Sequence, residues 1–104
     1  MTPDEYVEEV LALVERIPAG RVMSYGDIAD YLAERSGRAS ARLVGRIMSL
    51  YGAAVPWYRV VNSSGRVAPG HPSEATARLR AEGTPMRNDH VDMRRAAWRP
   101  DDPS

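Results

Sequence analysis

Apolar residues recur at helical spacing from the start of the chain. Tyr6, Val7, Val10, Leu11, Val14 and Ile17 form the stripe, and Glu8, Glu9 and Glu15 face water. Ahead of it, Thr2-Pro3-Asp4-Glu5 reads as a capping box with proline at the first helical position. Pro18-Ala19-Gly20 stops that helix. Arg21-Val22-Met23 predicts a short extended link, after which Ser24 caps a second helix from Tyr25, with Asp27 in its first turn. Ile28, Ala29 and Leu32 give this helix a core face, and Gly37 terminates it. A third helix is predicted from Ser40 to about Leu50. Its buried side is Leu43, Val44, Ile47 and Met48, while Ala39, Arg42, Arg46 and Ser49 share another face. Two short helices joined by a glycine-bearing turn, the second with small and basic residues, suggest a helix-turn-helix. Many small helical domains produce the same pattern.

The periodicity changes at Pro56, which fixes its own backbone and pushes Val55 toward an extended conformation. Val60-Val61 favours buried or strand-like backbone, and Asn62-Ser63-Ser64-Gly65 carries turn chemistry. Ala68-Pro69-Gly70-His71-Pro72 is predicted as a loop without regular structure. A short helix then starts at Ser73-Glu74, with Ala77 and Leu79 inward and Gly83 as its stop. Val91 and Met93 alternate with polar residues and predict a strand, with Trp98 folding back onto the body. Residues 1–100 read as one domain without internal repeats, and residues 101–104 as a loose tail.

Composition narrows the function classes. A chain of 104 residues with 43% hydrophobic residues suits one globular domain with a modest core. No apolar run approaches the ~20 residues of a membrane span and no signal-peptide pattern opens the chain, so a cytoplasmic protein is expected. With no cysteine there is no disulfide, no thiolate metal site and no thiol nucleophile. His71 and His90 lie in a Pro/Gly loop and a polar segment, neither at metal-ligand spacing, and no phosphate loop, dinucleotide fingerprint or nucleophile elbow is present. No metal or cofactor is expected.

Zero net charge conceals a strong asymmetry. Residues 1–34 hold eight acids and two arginines, a net of −6, and residues 35–104 carry +6. Between Arg35 and Ser49 there are four arginines and no acid. Such a distribution permits a local anion-binding face on a neutral protein, and it equally describes a solvated, lysine-free surface. Trp57-Tyr58 after a proline can wall a pocket for a flat heterocycle, since aromatic faces stack on bases. The alternative is a tryptophan packed in the core.

Pro56-Trp57-Tyr58-Arg59-Val60 closely resembles the active-site motif of O6-alkylguanine-DNA alkyltransferases, Pro-Cys-His-Arg-Val. Tryptophan stands where that family has its nucleophilic cysteine, an exchange that is the hallmark of the alkyltransferase-like proteins, which recognise alkylated DNA without repairing it. The resemblance runs colinearly from about Asp4 to Gly83, and weakly to Trp98-Arg99-Pro100. The segment from Ile17 to Ala29 is similar to the family's approach to its DNA-binding helices. Ala41 to Met48 resembles its recognition helix, and Pro56 to Val67 its active-site segment.

What this resemblance implies is specific. The fold is expected to be mainly α with minor β, a winged-helix-like helix-turn-helix of the alkyltransferase C-terminal type. The protein is expected to bind double-stranded DNA containing O6-alkylguanine through the minor groove and flip the damaged nucleotide into a pocket without removing the alkyl group. Nucleotide excision repair proteins are the implied successors, and a monomer is expected. Tyr25 would crowd the phosphate beside the lesion, and Arg42 matches the arginine finger that occupies the vacated space. Ala41 and Gly45 match small residues that let the helix sit close to the groove. Arg46 departs from the small residue common there and is expected to reach phosphate. Pro56, Trp57, Tyr58, Arg59, Val60 and Arg66 form the implied lesion pocket. Tyr58 replaces the histidine common to both branches, which removes the relay base. Gly70 stands where some alkyltransferase-like proteins carry an arginine that reads the O6 edge, leaving Arg66 or His71 as candidates to replace it. Two other classes stay open: a helix-turn-helix regulator of undamaged DNA, and a protein-interaction domain.

Overall fold

The computed structural model describes residues 1–37 and 40–101. Ala39, assigned above to the basic face, and residues 102–104 of the tail lie outside the described residues. Helix α1 spans Pro3–Arg16. Thr2 Oγ1 accepts from the Glu5 N–H at 3.2 Å and the Glu5 carboxylate accepts from the Thr2 N–H at 3.3 Å, completing the capping box. Those two hydrogen bonds hold the Glu5 carboxyl below the usual range. The fully buried stripe of α1 is Tyr6, Val10, Leu13 and Val14, continued by Ile17. Leu13 thus takes the place expected of Leu11. Val7 and Leu11 lie about 100° round the helix from Tyr6 and Val10, and pack on the shoulder of the core.

Strand β1 is Met23–Ser24 and is followed at once by α2, Tyr25–Ser36. Ser24 Oγ accepts from the Asp27 N–H at 3.0 Å, and Gly37 closes the helix in the left-handed region, φ 74°. Helix α3, Ala41–Tyr51, is capped by Ser40, whose Oγ accepts from the Leu43 N–H at 3.2 Å. It buries Val44, Ile47 and Met48 against α1 and α2, with Leu43 partly covered. This is the consecutive helix pair read from the sequence. Two 3₁₀ turns follow, Gly52–Ala54 and Trp57–Arg59, and lead into β2, Val60–Val61.

Strands β1 and β2 pair in parallel, Met23 with Val60 and Ser24 with Val61. A parallel pair needs a crossover, which α2 and α3 supply. Because successive strand residues point to opposite faces, this short pair divides the interior in two. Met23 and Val60 belong to a cluster with Val10, Ile28, Leu32, Val44 and Trp98. Val22 and Val61 belong to a second cluster with Tyr58, Leu79, Val91 and Ala96.

Helix α4, Pro72–Ala81, lies over the second cluster and buries Ala75 and Leu79, four residues apart. Ala77, expected inward, is exposed, since a residue two positions from Leu79 lies on the opposite side of a helix. The C-terminal segment is a hairpin, β3 Met86–Arg87 against β4 His90–Val91, and one turn of helix, α5 Met93–Ala96. Val91 is therefore a buried strand residue as expected, but Met93 starts a helix, because Asp92 turns the chain out of the strand. Trp98 folds back onto the first cluster, and its backbone N–H donates to the Val22 carbonyl at 2.8 Å. Among the described residues no helix is long and apolar enough to cross a membrane.

The turn at Asn62 depends on one glycine. Gly65 has φ 89°, and a Cβ there would stand 2.2 Å from the Val91 carbonyl oxygen. Its own carbonyl accepts from the Val91 N–H at 2.9 Å, tying the turn to the hairpin. At Gly70 a Cβ would meet nothing within 4 Å. Gly65→Ala should cost about 2 kcal/mol or more, and Gly70→Ala should stay within about 0.5 kcal/mol of the parent. Urea unfolding of both variants, read by circular dichroism, checks the difference.

Candidate nucleic-acid interface

The segment after Pro56 is a single 3₁₀ turn. Such a turn holds about three residues, so three consecutive side chains leave it about 120° apart. Trp57, Tyr58 and Arg59 accordingly go three ways. Trp57 lines a cleft, Tyr58 enters the second cluster, and Arg59 turns toward the end of α4. Tertiary partners fix two of the three. The Tyr58 hydroxyl donates to Glu82 Oε2 at 2.8 Å. Arg59 donates from Nε to Glu82 Oε1 at 3.0 Å, from a terminal nitrogen to Glu82 Oε2, and from Nη1 to the Ile17 carbonyl at 2.8 Å. Arg59 and Glu82 are each only 16% exposed along the side chain, so solvent screens this pair weakly. The Arg59 hydrogen bonds hold the Glu82 carboxyl below the usual carboxylate range.

The cleft encloses about 750 Å³, within the range of pockets that take small ligands. Tyr25, at the first position of α2, and Gly45, Met48 and Ser49 of α3 form one wall. Trp57 and the Ala68–His71 loop form another, and Glu74 and Arg78 of α4 close it. Gly52 packs beside Met48 and Trp57, since a Cβ there would press on Met48 Cε at 3.0 Å and make ordinary contact with Trp57 Cβ at 3.6 Å. The indole meets the Tyr58 ring edge to face at a centroid distance of 5.7 Å, and the His71 ring at 6.0 Å. Burial pushes the Tyr25 phenol above its ordinary value, so it stays neutral at physiological pH.

Of the residues singled out from the sequence, Tyr25, Gly45 and Trp57 come together at the cleft. Ala41, Arg42 and Arg46 are exposed on α3, the helix that forms its wall. Arg42, Arg46 and Ser49 share one face that runs from the start of α3 to the cleft. Neither arginine has a hydrogen bond or ion pair among the described residues, whereas Arg35 is paired with Glu9 at 3.1 Å. Pro56 is half-buried at the start of the 3₁₀ turn. Tyr58, Arg59 and Val60 stand behind the cleft: the first two are held by Glu82, and Val60 is fully buried in β2. Arg66 is exposed in the Asn62 turn and does not line the cleft, whereas His71 does. Sequence reasoning missed Glu74, Arg78 and Glu82. The spacing of Glu74 and Arg78 marks a helical ion pair, but nothing in it points to a cleft.

The family model described as 6-O-methylguanine DNA methyltransferase, DNA binding domain, matches residues 5–84. Alkyltransferase-like protein 1 of Schizosaccharomyces pombe is 41% identical over 70 residues, 65% of this chain and 62% of that one. The chain belongs to this family, on its alkyltransferase-like branch. A DNA base-flipping protein of Vibrio parahaemolyticus is 31% identical over 102 residues, covering 93% of this chain and 99% of the relative. Among solved structures, S. pombe Atl1 in complex with damaged DNA containing O6-carboxymethylguanine matches with a TM-score of 0.78 at 31% identity. That match covers 96% of this chain and all of the other. The mainly α, helix-turn-helix architecture is thus the one this alkyltransferase-like resemblance implied.

The Glu82 network carries a pH dependence with a definite sign. A carboxyl whose folded value is depressed stabilises the fold above its unfolded value, about 4.5, and that stabilisation is lost as pH falls through the lower folded value. Glu82→Gln should cost about 1.5–3 kcal/mol at pH 7, typical of hydrogen bonds to charged groups. The gap to the parent should narrow below pH 4.5. Denaturant unfolding at pH 7 and pH 3 checks both statements.

Proposed function

We propose that this protein binds O6-alkylguanine in duplex DNA, turns the damaged nucleotide out of the stack into the cleft, and holds it with the alkyl group in place. The observation that carries this reading is the continuity of the exposed Arg42 and Arg46 face with a cleft walled by Tyr25 and Trp57. The relatives' base-flipping name and the damaged DNA bound to S. pombe Atl1 support it. In this reading α3 lies in the minor groove, where Ala41 and Gly45 keep it close to the DNA. Extruding a nucleotide costs a few kcal/mol of stacking and pairing. Tyr25 crowds the flanking phosphate, and Arg42 enters the vacated space and offsets part of that cost through stacking and hydrogen bonds to the orphaned base. The extruded base rests against Trp57.

No alkyl transfer follows. The chain has no cysteine, and an indole is not a competent nucleophile toward an alkyl carbon under these conditions. Tyr58 offers no base to the cleft, since its phenol is directed to Glu82. A protein that holds a lesion without repairing it requires a successor, and we assign that role to nucleotide excision repair.

Titration of matched duplexes with and without O6-methylguanine at fixed salt tests the proposal. Tighter binding to the lesion duplex is expected, and equal affinity would favour a regulator of undamaged DNA. Arg42→Ala should weaken lesion binding by about 1–3 kcal/mol, the scale of a lost base-stacking or base-reading contact. Arg16→Ala, on the acidic first helix, should change it little, and the same titration compares the two. Trp57→Cys alone should not yield an efficient transferase. An unperturbed thiol has a pKa of about 8.5 and is mostly protonated at neutral pH, and position 58 offers no imidazole. Trp57→Cys combined with Tyr58→His should do better, because it restores both the sulfur and an imidazole at the family's positions. Single-turnover transfer of a labelled methyl group ranks the variants. Rapid stoichiometric transfer by Trp57→Cys alone would contradict this account of the pocket.

A further inference from the structure

Among the described residues the cleft holds one guanidinium and one carboxylate, and they are paired with each other. Arg78 Nη2 lies 3.0 Å from Glu74 Oε2, one turn apart on α4, with both side chains about half exposed at 52% and 51%. An exposed pair of this kind is held weakly, and its carboxylate returns to water at little cost. The cation itself is held from another side. Its Cζ stands 5.3 Å from the centroid of the Tyr58 ring, and that ring is buried and anchored by Glu82. Arg78 therefore packs on an anchored ring and has an exchangeable counter-ion. The facing loop residues Ala68, Pro69 and Gly70 bring no charge, and Gly70 leaves open space around its Cα.

Building on the lesion-binding reading, we propose that Arg78 reads the charge of the adduct. A carboxylate at the end of the O6 alkyl chain displaces Glu74 as the counter-ion of Arg78, so the pocket favours acidic adducts over neutral ones of the same size. The planar guanidinium can donate two parallel hydrogen bonds to such a carboxylate. A neutral chain cannot replace Glu74 and gains nothing from the exchange. Glu74 acts as the competitor that sets how strongly an acidic adduct is preferred.

The test uses the intact protein and three duplexes that differ only at one guanine: O6-carboxymethylguanine, its neutral carbamoylmethyl isostere, and guanine itself. The quantity read is the affinity ratio of the acidic to the isosteric neutral lesion at fixed salt. It should exceed one for the parent, fall about tenfold in Arg78→Gln, and rise severalfold in Glu74→Gln. Thermal unfolding confirms that both surface variants are folded. A ratio unchanged in Arg78→Gln overturns the inference. That includes a parallel loss on all three duplexes, which would place Arg78 on a backbone phosphate. A parent that binds both lesion duplexes no better than the guanine duplex overturns the lesion-binding reading, and this inference with it.

Discussion

The carboxylate of Glu82 joins three parts of the chain that are remote in sequence. It accepts from Arg59 and from the Tyr58 hydroxyl, while Arg59 reaches across to the Ile17 carbonyl at the end of the first helix. A three-residue 3₁₀ turn has little stability of its own, so its orientation comes from what its side chains grip. With Tyr58 and Arg59 both gripped, the direction of the third side chain is decided. Trp57 faces the cleft because its two neighbours are held elsewhere. Charge-assisted hydrogen bonds suit this task, since they are directional and, at 16% exposure, weakly screened.

The same division of labour runs through the interior. The short parallel pair separates two apolar clusters, with Met23 and Val60 facing one and Val22 and Val61 the other. Trp57 packs against both, at the end of this partition. One cluster supports the helix pair with its basic face, and the other supports α4 and the hairpin. The cleft lies where the structures built on them meet, so its walls belong to two separately packed bodies joined by the Arg59–Glu82 link. Within the second of these bodies, Gly65 fixes the Asn62 turn to Val91.

Charge follows the architecture. Acids crowd α1 and α2, where Glu9 pairs with Arg35, while Arg42 and Arg46 on α3 have no partner among the described residues. A neutral molecule can in this way carry a local basic surface. Net charge says nothing of this, because the two sets are segregated along the chain and cancel in the sum.

The local signals in the sequence determined the helices and their caps. Thr2, Ser24, Ser40 and Gly37 cap as their chemistry dictates, since capping depends on residues a few positions apart. The order of the helix pair, the turn at Asn62 and the residues of the basic face were legible for the same reason. Leu11 and Leu13, like Ala77 and Ala75, stand two residues apart and so on opposite sides of a helix, and it is Leu13 and Ala75 that share the buried faces of Val10 and Leu79. Met93 joined a helix although its alternation with Val91 suits a strand, because the hairpin ended at Val91. The pocket shows the limit most clearly. Six residues, Pro56 to Val60 and Arg66, formed one lining in what the family resemblance implied. The structure sends Tyr58 and Arg59 behind the cleft and brings in Glu74 and Arg78 from α4. A 3₁₀ turn scatters adjacent side chains, and contacts between residues 59 and 82 leave no trace in local periodicity. Which charges and aromatics meet in the cleft was therefore decided by the tertiary structure alone.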